Sequence, residues 1–150
     1  MDIICDSEKK TNEIANRISM NLAPPFILSI NGELGAGKTV LARSIIQTQN
    51  NSEIVKSPTF SLVEEYTYPG IKIYHIDLYR LTSSEIVDLT IQDYISDDSV
   101  LIIEWAEKYE EIVNNSDIII DIDILDSKTR NLKIAGNSES GKKVLVGLEK

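Results

Sequence analysis

Phe26 to Gln49 reads FILSINGELGAGKTVLARSIIQTQ, and this stretch decides the fold. Phe26-Ile27-Leu28-Ser29-Ile30 is a short apolar run of the kind that forms a buried strand, and Val40, Leu41, Ile45 and Ile46 recur at helical spacing. Between them Gly32 to Thr39, GELGAGKT, fits G-x-x-x-x-G-K-[ST]. A strand, this loop and a helix in succession constitute a P-loop (Walker A motif). Gly32, Gly35 and Gly37 free the backbone to aim successive N–H groups at phosphate oxygens, with Glu33, Leu34, Ala36 and Val40 supplying the rest of that lining. The helix beginning near Lys38 adds roughly half a positive charge at its N-terminus. Lys38 suits the β- and γ-phosphates of a nucleoside triphosphate, and the Thr39 hydroxyl suits the Mg²⁺ that bridges them.

Outward from the loop, the 150 residues suit one domain spanning 1–150. Fifteen Lys and Arg against 24 Asp and Glu leave a net charge of −9. Such a chain is poorly suited to grip DNA or tRNA by neutralising phosphates, so a tRNA role would run through a basic partner. The lone Cys5 excludes an internal disulfide, and no Cys or His spacing suits zinc. Asp2, Asp6 and Glu8 occupy the place of a signal peptide's apolar stretch, and no apolar run nears membrane-spanning length, so a cytoplasmic protein without membrane contact is expected.

The rest of the chain predicts a three-layer α/β domain whose mixed central sheet is largely parallel, with antiparallel additions. Ile3 to Cys5 is a short strand, and Ser7 caps a helix carrying Ile14, Ala15, Ile18 and Leu22 on one face before Pro24-Pro25 ends it. Phe60 to Tyr66 and Ile71 to Ile76, joined through Tyr68-Pro69-Gly70, form a hairpin. Thr82 and Glu85 have capping-box spacing before a helix. Val100 to Ile103 is a strand buried on both faces. Asp117 to Leu125, Asn131 to Ala135 and Val144 to Val146 read as a strand-rich tail. Period-two spacing of Asp117, Asp121 and Asp123 favours a solvated edge strand over a calcium site.

Hydrolysis needs a second oxygen ligand for the metal and a group that positions water. Glu104 and Asp77 each follow an apolar strand and would emerge at its carboxyl end, where open α/β sheets bind ligands. His75, the sole histidine, reads as a packed or hydrogen-bonded strand residue rather than a catalyst. Trp105 reads equally as core or as a neighbour of the site, Thr59 as part of a loop entering a strand, and Arg80 as a carboxylate partner.

GELGAGKT, SPTF at Ser57 to Phe60, HIDLYR at His75 to Arg80 and IEW at Ile103 to Trp105, in that order, resemble the TsaE family. The resemblance runs from about Ser7 to Trp105. It implies a P-loop ATPase required for threonylcarbamoyladenosine modification of tRNA, using ATP and Mg²⁺ and acting with TsaD and TsaB. By similarity, Thr39 and Glu104 hold the metal, Asp77 assists the metal or the attacking water, Thr59 lies in a switch-like loop and Trp105 lies near the nucleotide. The pattern departs in three places: Glu33 replaces the usual Asp, the proline that often follows the IEW segment is absent, and Thr90 stands where a Gly commonly occurs. That Gly would serve a φ > 0 position. Two other classes use the same loop. A small-molecule phosphotransferase would bring an Arg-rich lid, and a GTP switch would bring N-K-x-D; neither segment occurs.

Overall fold

A computed structural model describes all of residues 1–150. One seven-stranded sheet runs through it: β1 Asp2–Cys5, β2 Phe26–Gly32, β3 Val63–Tyr68, β4 Ile71–Asp77, β5 Ser99–Glu104, β6 Ile118–Ile124 and β7 Arg130–Gly136. Their spatial order is β1-β7-β6-β2-β5-β4-β3. The four central strands, β6, β2, β5 and β4, are mutually parallel, and β1, β7 and β3 add antiparallel edges. β2 and β5, the apolar runs, pair at the centre with Leu28 opposite Ile102.

Helices cover both faces unequally. On one, α1 Glu8–Asn21, α2 Lys38–Gln47 and α5 Glu139–Glu149 bury a core of 24 residues built on Ile18, Leu28, Ile30, Ile45, Ile102 and Ile120. On the other, α3 Ser83–Asp88, α4 Glu110–Asn114 and 3-10 turns at Ile91–Tyr94 and Ala106–Lys108 cover only eight buried residues, Ile76, Leu101 and Ile103 among them. Odd and even residues of β5 thus serve different cores, as a two-residue side-chain period requires. Ser7 caps α1 by accepting from the Lys10 N–H at 3.3 Å, and Thr82 with Glu85 completes the capping box of α3. No helix is long and apolar enough to cross a membrane.

Three expectations are corrected. Val144 to Val146 is not a strand: it lies in α5, where Val144 and Leu148, four apart, bury one helical face behind the Ser138 N-cap. β6 is not an edge strand, since β2 and β7 flank it, and the acids it was read from have separate tasks. Asp117 accepts from the Ile27 N–H at 2.8 Å and from Ser138 Oγ at 2.5 Å, Asp121 accepts from Asn31 Nδ2 at 2.8 Å, and Asp123 pairs with Lys133 at 2.6 Å. The hairpin forms, but its first strand starts at Val63, because Leu62 turns to φ 70° and donates its N–H to Pro58 O at 2.8 Å.

Thr90 adopts φ 50°, ψ 64°, the left-handed conformation expected where a glycine would be at ease. Its side chain is exposed. Thr90→Gly removes a left-handed strain of about 1 to 2 kcal/mol and adds unfolded-state entropy worth roughly half of that, so a net gain near 0.5 to 1 kcal/mol is expected. Calorimetry should read this as a melting point higher by about 2 °C.

Candidate functional site

The loop between β2 and α2 wraps over the carboxyl end of the sheet. Gly35 and Gly37 sit at φ 82° and 101°, a region closed to most side chains, and Gly37 delivers the chain into α2 with no side chain capping its first turn. The first N–H groups of α2 therefore stay available to an anion. Lys38 folds back into the loop, donating Nζ to Gly32 O at 2.6 Å and Glu33 O at 2.9 Å, with its ammonium 3.9 Å from the centre of the Trp105 ring. Burial pushes the Lys38 ammonium below the usual lysine range, against the opposing pull of Glu104, Glu107, Asp77 and Glu33. An arriving phosphate would oppose that desolvation directly.

Thr39 donates from Oγ1 to Glu104 Oε1 at 2.8 Å. The contact follows from sheet register. Asp77 on β4 lies opposite Glu104 on β5, and both strands end there, so the two acids share the face that carries α2. Asp77 is held on both oxygens: Thr59 Oγ1 donates to Oδ2 at 3.1 Å and the Tyr79 N–H donates to Oδ1 at 2.8 Å. Lys38, Thr39, Thr59, Asp77, Glu104 and Trp105 thus line one groove of about 370 Å³. Trp105 at φ 60° tilts its ring against Tyr79 at 4.9 Å and stands at the mouth rather than wholly in the core. The oxygen donors suit Mg²⁺, which takes one or two carboxylates and leaves its other positions to water and phosphate.

His75 is the packed and hydrogen-bonded strand residue that the sequence suggests, and only its partner, like the contacts of Arg130, lay beyond local pattern. His75, fully buried, places Nε2 2.5 Å from Glu104 Oε2. Arg130 reaches from β7 to the P-loop, donating Nε to Ala36 O at 3.0 Å and Nη2 to Gly35 O at 3.4 Å. Beside it a second cavity of about 390 Å³ opens on the other side of the loop, between Asp6, Ser7 and Thr11 on one wall and Lys128 and Arg130 on the other. Arg80 does not pair with a carboxylate. It lies 4.6 Å over the Phe60 ring.

Residues 5–132 match the family model described as threonylcarbamoyl adenosine biosynthesis protein TsaE. The chain is 41% identical over 138 residues to the tRNA threonylcarbamoyladenosine biosynthesis protein TsaE of Haemophilus influenzae, covering 91% of this chain and 85% of that one. With the Aquifex aeolicus protein of the same description it shares 34% over 135 residues, 89% of this chain and 94% of that one. The crystal structure of Bacillus subtilis YdiB superposes with a TM-score of 0.82 over 99% of this chain and 93% of that one, at 22% identity, which speaks to the fold. The match reaches past Trp105 through β6 to Leu132, so it takes in both walls of the second cavity as well as the groove, and on that breadth the chain belongs to the TsaE family of threonylcarbamoyladenosine biosynthesis proteins.

Proposed function

We propose that the chain is a Mg²⁺-dependent ATPase that serves threonylcarbamoyladenosine formation on tRNA by acting on a TsaB–TsaD pair. The observation that carries the nucleotide part is the convergence of Lys38 and Thr39 from the P-loop, Asp77 from β4 and Glu104 from β5 on one groove. The phosphates lie along the loop from Gly32 to Thr39, under N–H groups and the Lys38 ammonium. The adenosine takes the neighbouring 390 Å³ cavity, which shares Gly37 and Val40 with the phosphate groove and is of the size small ligands occupy. Thr39 and Glu104 would hold the metal, which would supply neutralisation of the phosphate charge. Asp77, fixed by Thr59 and the Tyr79 amide, orients the attacking water. The partner assignment follows the family, and the −9 charge leaves tRNA contact to the partner.

Trp105, the only tryptophan, provides the test. Its ring faces the Lys38 ammonium, so a triphosphate that draws on that charge changes the field at the indole and its emission. ATP and ADP are expected to shift Trp105 fluorescence saturably, with Lys38→Ala weakening the binding many-fold while the fold survives. ATP binding seen by calorimetry with no optical change removes Trp105 from the site. No binding by either method ends the nucleotide reading.

A further inference from the structure

His75 is the only histidine in the chain, and it is fully buried. It lies on β4 two residues before Asp77 and therefore on the same face of the sheet, toward α2. Its Nε2 is 2.5 Å from Glu104 Oε2, while the other oxygen of Glu104 accepts from Thr39. With Glu104 ionised, as a metal ligand must be, the carboxylate only accepts and Nε2 would carry the proton of that contact. Nδ1 is buried with no hydrogen-bond partner.

We propose that His75 is a positioning residue of the nucleotide site: its Nε2–H holds one oxygen of Glu104 so that the other stays aimed at Thr39 and the metal. Outer partners of this kind set the direction of metal-ligating carboxylates elsewhere. The inference rests on the metal role given to Glu104 above. Its consequence is selective. Losing His75 frees the Glu104 side chain and weakens the Mg²⁺-dependent part of nucleotide binding, while the P-loop amides and Lys38, which His75 does not touch, keep the Mg²⁺-independent part.

The experiment compares His75→Phe, His75→Gln and Glu104→Ala in the full chain. ADP affinity is measured by calorimetry with and without Mg²⁺, and the imidazole of the metal-free wild type is observed by ¹⁵N NMR, where a single histidine makes assignment unambiguous. The expected wild-type spectrum is an Nε2–H tautomer with a downfield, slowly exchanging proton that Glu104→Ala abolishes. His75→Phe is expected to raise the Mg²⁺ requirement by about 10- to 100-fold without lowering Mg²⁺-free affinity, and to lower the melting point because the buried Glu104 Oε2 loses its partner. His75→Gln, which keeps an N–H donor near the same place, should recover most of the loss. An Nδ1–H tautomer, or a His75→Phe protein with wild-type Mg²⁺ dependence beside a Glu104→Ala protein that has lost it, overturns the inference and leaves the ATPase reading standing. If Glu104→Ala also keeps its Mg²⁺ dependence, the metal assignment itself falls and this inference with it.

Discussion

Glu104→Ala is expected to reduce Mg²⁺-dependent ATP hydrolysis by more than about 100-fold, beyond the usual cost of losing an outer partner of a metal site. One carboxylate joins three elements: it accepts from Thr39 at the start of α2, it holds His75 on β4, and it ends β5. Alanine removes the proposed metal ligand and also strips His75 of its only partner, which costs about 1 to 3 kcal/mol of stability for a buried polar group. Glu104→Gln separates the two effects. It keeps the volume and an acceptor for His75 Nε2–H, so it should fold nearly as well while lacking the negative charge that suits Mg²⁺. Both variants should still bind ATP without metal, because the P-loop amides and Lys38 remain. Asp77→Ala should act in the same direction but less severely. Phosphate release assays beside calorimetry check this, and wild-type turnover in the Glu104 and Asp77 variants would reject the pairing of the two acids.

The second large effect is expected from the partner. Adding the TsaB–TsaD pair should raise turnover by about 10³-fold or more, the contribution of an arginine placed on the charge that develops during phosphoryl transfer. This chain holds no such arginine in place. Lys38 is the only cation lining the groove, Arg130 and Arg17 donate to backbone carbonyls, and Arg80 lies over Phe60. The surface beside the groove is also unusually apolar: Phe60 is 82% exposed, Leu34 72% and Tyr79 45%. Apolar side chains grouped this way mark a contact surface. With a net charge of −9 on this chain, the proposed partner is expected to present a basic face, and association should weaken as salt rises. Titrating the purified pair into ATPase reactions at low and moderate salt, with Glu104→Ala as background, decides the matter. Turnover that stays flat with the pair saturating, while a small phosphate acceptor stimulates it, would favour a phosphotransferase.

What could be read from the residues was what local pattern controls. The apolar runs of β2 and β5, the glycines around Lys38 and the Thr82–Glu85 cap each carry their signal within a few positions, and each formed where expected. Val144-Leu145-Val146 misled because β-branched residues resemble a strand. The helix is favoured by the Ser138 cap, and Gly141 lets it pack against the chain at Asp117, whose O a Cβ there would approach within 1.9 Å. The contacts of His75 and Arg130 were illegible for a different reason. His75 meets Glu104 across neighbouring parallel strands 29 positions apart, and Arg130 meets Ala36 across 94. Such meetings depend on strand order, which periodicity does not encode. Thr90 shows the opposite case, a single unusual residue that marked its own backbone angle.

The unequal covering of the sheet has a consequence for hydrogen exchange and for how the nucleotide is let go. Cooperative opening units follow buried apolar contact, and units with little of it open at a lower free energy than the whole molecule. The layer of α3, α4 and the two 3-10 turns, over eight buried residues, is expected to be the low-energy unit, and α1, α2 and α5 to belong to the high-energy one. The chain passes into the weaker layer immediately after Asp77, at Leu78, and after Glu104, at Trp105 and Ala106. Lys108, donating to Tyr79 O at 2.6 Å and Leu81 O at 2.8 Å, ties those two exits together. On the proposed function, the phosphate loop hangs on the layer expected to exchange slowly while Asp77 and Glu104 border the layer expected to exchange fast, so a sub-global opening would loosen the metal-side acids without unfolding the P-loop.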